Sequence, residues 1–233
     1  MMIAGVDGCR AGWFVALAET WPGNKVPSFA VCPEFRDVLA FTASCKMIVV
    51  DMPIGLPSEA EKRKCDLEVR NLLAPEGRSR VFFTPPCTTL DASSYNIFLE
   101  KHRQATGRGA SRQTYGIVPK LREVDPVMTP ELQERVREFH PELAWKRLAG
   151  KVLKSKHTEN GINDRWSILE KSGAYWVKDL KDRKPPVGTK IDDVLDAFVG
   201  LHVAVSITNN TAPRLPKSEI QHDSRGLRME IWY

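Results

Sequence analysis

The sequence predicts an α/β domain built around a mixed sheet. Three observations carry this. Short apolar runs separated by turn residues fill the first 51 positions, with one stretch of helical spacing between the third and fourth runs. The fourth run, Met47–Val50, is apolar throughout rather than alternating, as in a strand covered on both faces. Beyond it, helical spacing returns over longer windows, most clearly at 191–207. Strand, hairpin, strand, helix, strand is the opening of a mixed α/β layer structure.

Residues 2–6 are apolar and end at Asp7. Gly8 and Gly12 bracket a turn, and 14–17 and 29–32 supply the next two strands. Pro33 opens a helix in which Phe35, Val38, Leu39 and Phe41 fall at helical spacing. A helix is expected over 58–73, with Ser58 as N-cap and Glu61 as its capping-box partner, ended by Pro75 and Gly77. Residues of about 78–127 are the least regular and rich in prolines and basic side chains. They are read as an insertion between core elements, with a helix near 95–104. Thr129 caps a short helix to Glu134, 136–139 suit a strand, and Pro141 opens a helix to Leu148. Helices are expected over 158–172 and 191–207, and 227–233 alternate as a closing strand.

The length, 233 residues, suits a single domain over 1–233 with the insertion at about 78–127. An apolar fraction of 42% and a charged fraction of 27% are ordinary globular usage, which excludes a disordered or fibrous chain. No run approaches the length of a membrane span. The N-terminal residues do not have the pattern of a secretory signal, and the five cysteines form no CxxC pair, so the expectation is a cytoplasmic protein without a disulfide framework, structural zinc or membrane partner. The net charge of +5 permits contact with phosphates, and equally suits a basic protein with no nucleic-acid partner.

Acidic residues mark the candidate site. Asp7 and Asp51 each follow an apolar run, in IAGVD and IVVD. Aspartate is a poor strand former, and the carboxyl ends of strands are where ligands bind in open α/β sheets. The plainer reading is that each Asp caps the turn that follows it. The segment IDDVLDAFVG puts Asp193 and Asp196 three residues apart, on one helix face with Cβ atoms about 5–6 Å apart. Its other residues are nearly all apolar, so the helix is expected to be buried, and two carboxylates there need a cation or donors. The helix dipole accounts for Asp192 and Asp193 in the first turn but not for Asp196. Glu142, in FHPELAW, is the fifth candidate, although its place beside Pro141 is also ordinary N-terminal helix chemistry. Carboxylates gathered without a Cys or His cluster suit hard cations, Mg²⁺ or Mn²⁺. Two such ions about 3.5–4 Å apart can clamp the attacking and leaving oxygens of a phosphodiester.

The motifs GVDGCRAGW, DMPIGLP, RKCDLEVR, QTYGIVPKLREVD, FHPELAW, DDVLDAF and GLRMEIWY follow one another in this order, from Gly5 to Tyr233. The ordered set resembles the family known as domain of unknown function 429, predicted nucleases of RNase H-like fold. The resemblance implies an α/β, RNase H-like fold: a five-stranded mixed sheet with helices on both faces, plus an insertion. It is similar in particular to RuvC-like members of that superfamily, where an Asp on the first strand, an acid on the fourth and an acidic pair on the C-terminal helix hold two metals. Carried over by motif, Asp7, Asp51, Asp193 and Asp196 are the implied metal ligands. Glu142, from the family's own HPE motif, joins them as an implied catalytic residue. The implied function is a nuclease that hydrolyses phosphodiester bonds of DNA or RNA with Mg²⁺ or Mn²⁺. A RuvC-like relative also allows a homodimer.

Arg63 and Arg70, seven apart with Asp66 between them, make either a surface ion-pair ladder or a guanidinium contact to substrate phosphate. Lys120 and Arg122, in VPKLREVD, are further phosphate candidates. His140 reads as structural, with a base or ligand role as the alternative. Cys9 and Cys65 read as packing residues, and Trp13, Trp145 and Trp166 as core rather than base-stacking groups. The competing function is a non-catalytic nucleic-acid or protein binding module on an RNase H-like scaffold. Keeping buried carboxylates argues against it. An actin-like or sugar-kinase-like ATPase also begins with a strand ending in Asp, but needs two lobes, and 233 residues hold one plus an insertion.

Overall fold

The computed structural model describes residues 1–19, 21–58 and 61–233. They form two compact units: the first takes in 1–51, 135–213 and 232–233, the second 52–134 and 214–231. In chain order the elements are β1 (Ile3–Cys9), β2 (Gly12–Ala18), β3 (Ser28–Cys32), α1 (Phe35–Phe41), β4 (Met47–Val50), α2 (Lys64–Leu72), α3 (Tyr95–Thr106), α4 (Arg112–Gly116) and α5 (Val118–Val124). There follow β5 (Val136–Glu138), α6 (Pro141–Ala149), α7 (Glu159–Lys171), α8 (Val177–Lys181) and α9 (Ile191–Thr208). The dipeptide strands β6 (Arg214–Leu215), β7 (Gln221–His222), β8 (Arg228–Met229) and β9 (Ile231–Trp232) complete the chain.

The first unit is an α/β layer structure on a five-stranded mixed sheet of order β3-β2-β1-β4-β5. β1 and β2 form an antiparallel hairpin, β2 pairs antiparallel with β3, and β1, β4 and β5 run parallel. Successive side chains of a strand point to opposite faces. On β2, Phe14 meets Phe198 of α9 (ring centroids 6.2 Å) and Trp13 meets Phe35 of α1 (5.0 Å), so these two helices lie on opposite faces of the sheet. The α9 side holds the main core, where Leu195, Phe198 and Leu201 pack with Trp145 of α6 and Trp166 of α7. β4 is buried along its whole length, as its unbroken apolar run predicts.

Four expectations shift. β1 does not stop before Asp7 but runs to Cys9, because the hairpin keeps Asp7 opposite Phe14 and Gly8 opposite Trp13. On its other side the parallel ladder does end at Val6 opposite Val50, and Asp51 N–H closes it on Val6 O at 3.0 Å. α2 begins at Lys64 rather than after Ser58, and 59–60 of the expected span lie outside the described residues. Its first amide is satisfied from a distance, since Lys64 N donates to Gln221 Oε1 at 2.6 Å, while Arg63, with ψ at 127°, is not yet helical. Thr129 caps only a 3-10 turn at Leu132–Glu134. The closing segment splits into β8 and β9 around buried Glu230, whose carboxylate accepts Arg228 Nε at 3.2 Å.

In the second unit, which contains the irregular 78–127 stretch, Phe98 of α3 packs with Ala92 and Val118. Arg122 donates to the carbonyls of Leu90 and Ala92. Among the described residues no helix is long and apolar enough to cross a membrane.

Candidate active site

The acidic site is built within the first unit by the crossing of α9 over β1. A Cβ added to Gly5 would lie 2.0 Å from Ala197 O, and one added to Gly200 would come 3.1 Å from Gly5 Cα. At residue 5 only glycine allows this approach. It brings Asp196, which precedes Ala197, toward Asp7, two residues beyond Gly5. Asp51 stands at the end of β4, the neighbouring strand. Asp7 is 6% exposed and Asp196 1%.

Asp196 is fixed at both oxygens. Trp145 Nε1 donates to Oδ1 at 2.9 Å, and Lys156 Nζ donates to Oδ2 at 2.6 Å. Lys156 also lies 3.7 Å from Asp192 Oδ2. Asp193 faces differently: its Oδ2 accepts Lys190 N at 2.8 Å and caps α9. So Asp192 approaches the ammonium, while Asp193 reaches the cluster through its field.

That field is strong. Burial raises the Asp7 carboxyl well above the usual range, and the Asp51 and Asp196 charges add to it. Burial, then Asp196, push Asp51 up to about 7, against the pull of Lys156. Asp193 is raised by burial, with its backbone bond to Lys190 opposing. Burial disfavours the charged form of Lys156, but Asp196, Asp7 and Asp51 outweigh it and hold the ammonium firmly charged.

Glu142 is buried in the first turn of α6 and accepts Arg165 Nη2 at 2.5 Å. Its charge contributes to raising Asp51. Arg165, fully buried on α7, also donates to Gly161 O at 2.9 Å and to Lys154 O at 3.1 Å. Gly161 lets that loop close in, since a Cβ there would meet Ser155 O at 2.0 Å. One guanidinium thus anchors both Glu142 and the loop that carries Lys156. Among the described residues, no group of three His, Cys, Asp or Glu side chains is gathered closely enough to hold a metal ion as it stands.

Residues 5–220 match a family described as proteins of unknown function, DUF429. The chain belongs to the DUF429 family. No curated protein matches it. The span matched in this DUF429 protein includes Asp7, Asp51, Glu142, Lys156, Asp193 and Asp196.

The basic candidates of the DUF429 chain lie in its second unit. Arg63 is buried, donating to Thr84 Oγ1 at 2.9 Å and lying 3.6 Å from Asp66, the inward half of the expected ladder. Arg70 donates to Val81 O at 3.3 Å and lies over the Phe83 ring. Lys120 pairs with Glu123 at 3.1 Å. Trp13, Trp145 and Trp166 are buried, and His140 is the N-cap residue of α6. The sequence reasoning missed Lys156, Trp145 as a donor, and Arg165. Arg165 had a signal: Gly161, Arg165 and Leu169 fall four apart on the buried stripe of α7, where a charge needs a partner. Lys156, in a short polar loop, had none.

Proposed function

We propose that this DUF429 protein is a divalent-metal-dependent nuclease on an RNase H-like scaffold of the RuvC-like kind. The observation that carries the reading is the gathering of Asp7, Asp51 and Asp196, where burial first and the neighbouring carboxylates second raise Asp7 and Asp51 despite the nearby Lys156. A site built this way holds more negative charge than its own chain neutralises. The acids on β1, just past the end of β4 and on α9 also suit the arrangement that the resemblance implies.

The donors are hard oxygens, which fits Mg²⁺ or Mn²⁺. Asp7, Asp51 and Asp196 would hold the ion, with Asp193 beside them. When bound, such an ion supplies Lewis-acid charge at a phosphodiester and acidifies a water. The chain's own part is positioning. Trp145 and Lys156 fix both oxygens of Asp196. Arg165 holds Glu142, and Asp193 locks the first turn of α9.

The test is cleavage of labelled DNA and RNA with Mg²⁺ or Mn²⁺, with wild type and Asp7→Asn purified in parallel. Metal-dependent cleavage that disappears in the variant is the expected result and names the polymer. No cleavage, with no Mn²⁺ effect on Tm, overturns it. The Lys156–Asp196 contact favours one second reading, a non-catalytic binding module whose cation comes from the chain itself, and that same outcome supports it.

A further inference from the structure

The second unit contains a cavity of about 440 Å³ that is unrelated to the acidic cluster. Its size falls within the usual span of small-molecule sites. Lys62, Arg70 and Arg108 line it together with Phe82 and Phe83. Lys62 Nζ lies 3.8 Å from the Phe83 ring centroid, and the Arg70 guanidinium 5.2 Å from the same point. Glu61 also lines the cavity, accepting Gln221 Nε2 at 2.8 Å, so three cations there face one carboxylate. Burial, then the Arg108 and Arg70 charges, lower the Lys62 ammonium from its ordinary range.

Three cations gathered at one cavity repel one another, and an anion relieves that repulsion. Guanidinium groups give paired donors that match phosphate oxygens. Phe82 is an exposed aromatic beside them, and an exposed ring can stack a base whatever its identity. A merely solvated basic face needs neither the cavity nor the aromatics.

We propose that this cavity is a nucleotide-binding site, with the phosphate among Lys62, Arg70 and Arg108 and the base against Phe82. The nucleotide is either free or the end of a single strand. The site does not depend on the nuclease reading, because none of Asp7, Asp51, Glu142, Asp193 and Asp196 lines it.

The test is calorimetric titration of the full chain in EDTA with adenosine 5′-monophosphate, adenosine, inorganic phosphate and pentathymidylate. The mononucleotide should bind saturably, and more tightly than adenosine or phosphate alone. Arg108→Ser should weaken it about tenfold. Phe82→Ser should weaken the mononucleotide while leaving phosphate unchanged. Both side chains are exposed, so the variants should keep the wild-type Tm. Pentathymidylate binding about tenfold tighter than the mononucleotide assigns a strand end, and comparable binding assigns a free nucleotide. The proposal is overturned if neither nucleotide probe binds, if phosphate alone binds as tightly, or if both variants bind as wild type. Asp7→Asn, which should abolish cleavage, should bind the mononucleotide normally, so the two readings fail separately.

Discussion

Lys156 holds its ammonium 2.6 Å from Asp196, a carboxylate only 1% exposed at the crossing of α9 over β1. Removing one partner of a buried pair strands the other charge, at a cost of about 3 kcal/mol or more. Lys156→Met should therefore melt about 6–12 °C below wild type in EDTA, by the usual scaling for a chain of this size. If the cluster accepts a cation, millimolar Mn²⁺ should recover part of that loss. An unchanged Tm in EDTA shows that the pair contributes nothing. A deficit that Mn²⁺ leaves untouched argues against an ion among these acids.

Asp51 gives the site a signature in pH. Its carboxyl is raised by burial and by Asp196 from 3.8 to about 7. Between those values the folded state binds the proton and the unfolded state does not, so stability falls as pH rises through that window. The carboxylate is then a liability of a few kcal/mol above pH 7. Asp51→Asn should show a Tm advantage over wild type that grows from pH 4 to 7 and then levels off. A gap independent of pH contradicts the raised carboxyl.

Glu142 and Arg165 form a buried pair that also ties down the Lys154 carbonyl. Glu142→Gln alone should cost about 3–5 kcal/mol in urea unfolding, because the guanidinium is left without its counter-charge. Glu142→Gln combined with Arg165→Met should cost clearly less than the sum of the two single changes. A double-mutant cycle with no coupling, against an expected coupling of at least about 1 kcal/mol, shows that the two residues act independently.

The sheet and the main helices were legible because each rests on local pattern. The unbroken MIVV run, the apolar length of α9, and Thr158, whose side chain accepts Gly161 N at 3.2 Å to cap α7, all read directly from neighbouring residues. The carboxylates were legible because Asp196 has no local reason to lie in a buried helix. What escaped depends on contacts between residues far apart in sequence. The start of α2 is set by Gln221, 157 residues away. Lys156 meets Asp196 across 40 residues and Trp145 meets it across 51. No spacing rule encodes such pairs.

His202 supplies a pH dependence of opposite sign, away from the acids. It packs edge-on to Trp21 with ring centroids 5.1 Å apart, and its Nε2 lies 3.2 Å from Ser172 Oγ. Burial, then the Arg147 charge, lower it from 6.5 to about 4. Between pH 6.5 and 4 the unfolded chain takes up a proton that the folded chain refuses, so stability is lost as pH falls through this window. The full loss is about 3 kcal/mol. His202→Gln removes the titration but also alters packing, which shifts Tm by an amount that does not vary with pH. The test is therefore the slope. Wild type should lose stability relative to His202→Gln as pH falls from 6.5 to 4, and parallel curves would show that the imidazole titrates alike in the folded and unfolded chain.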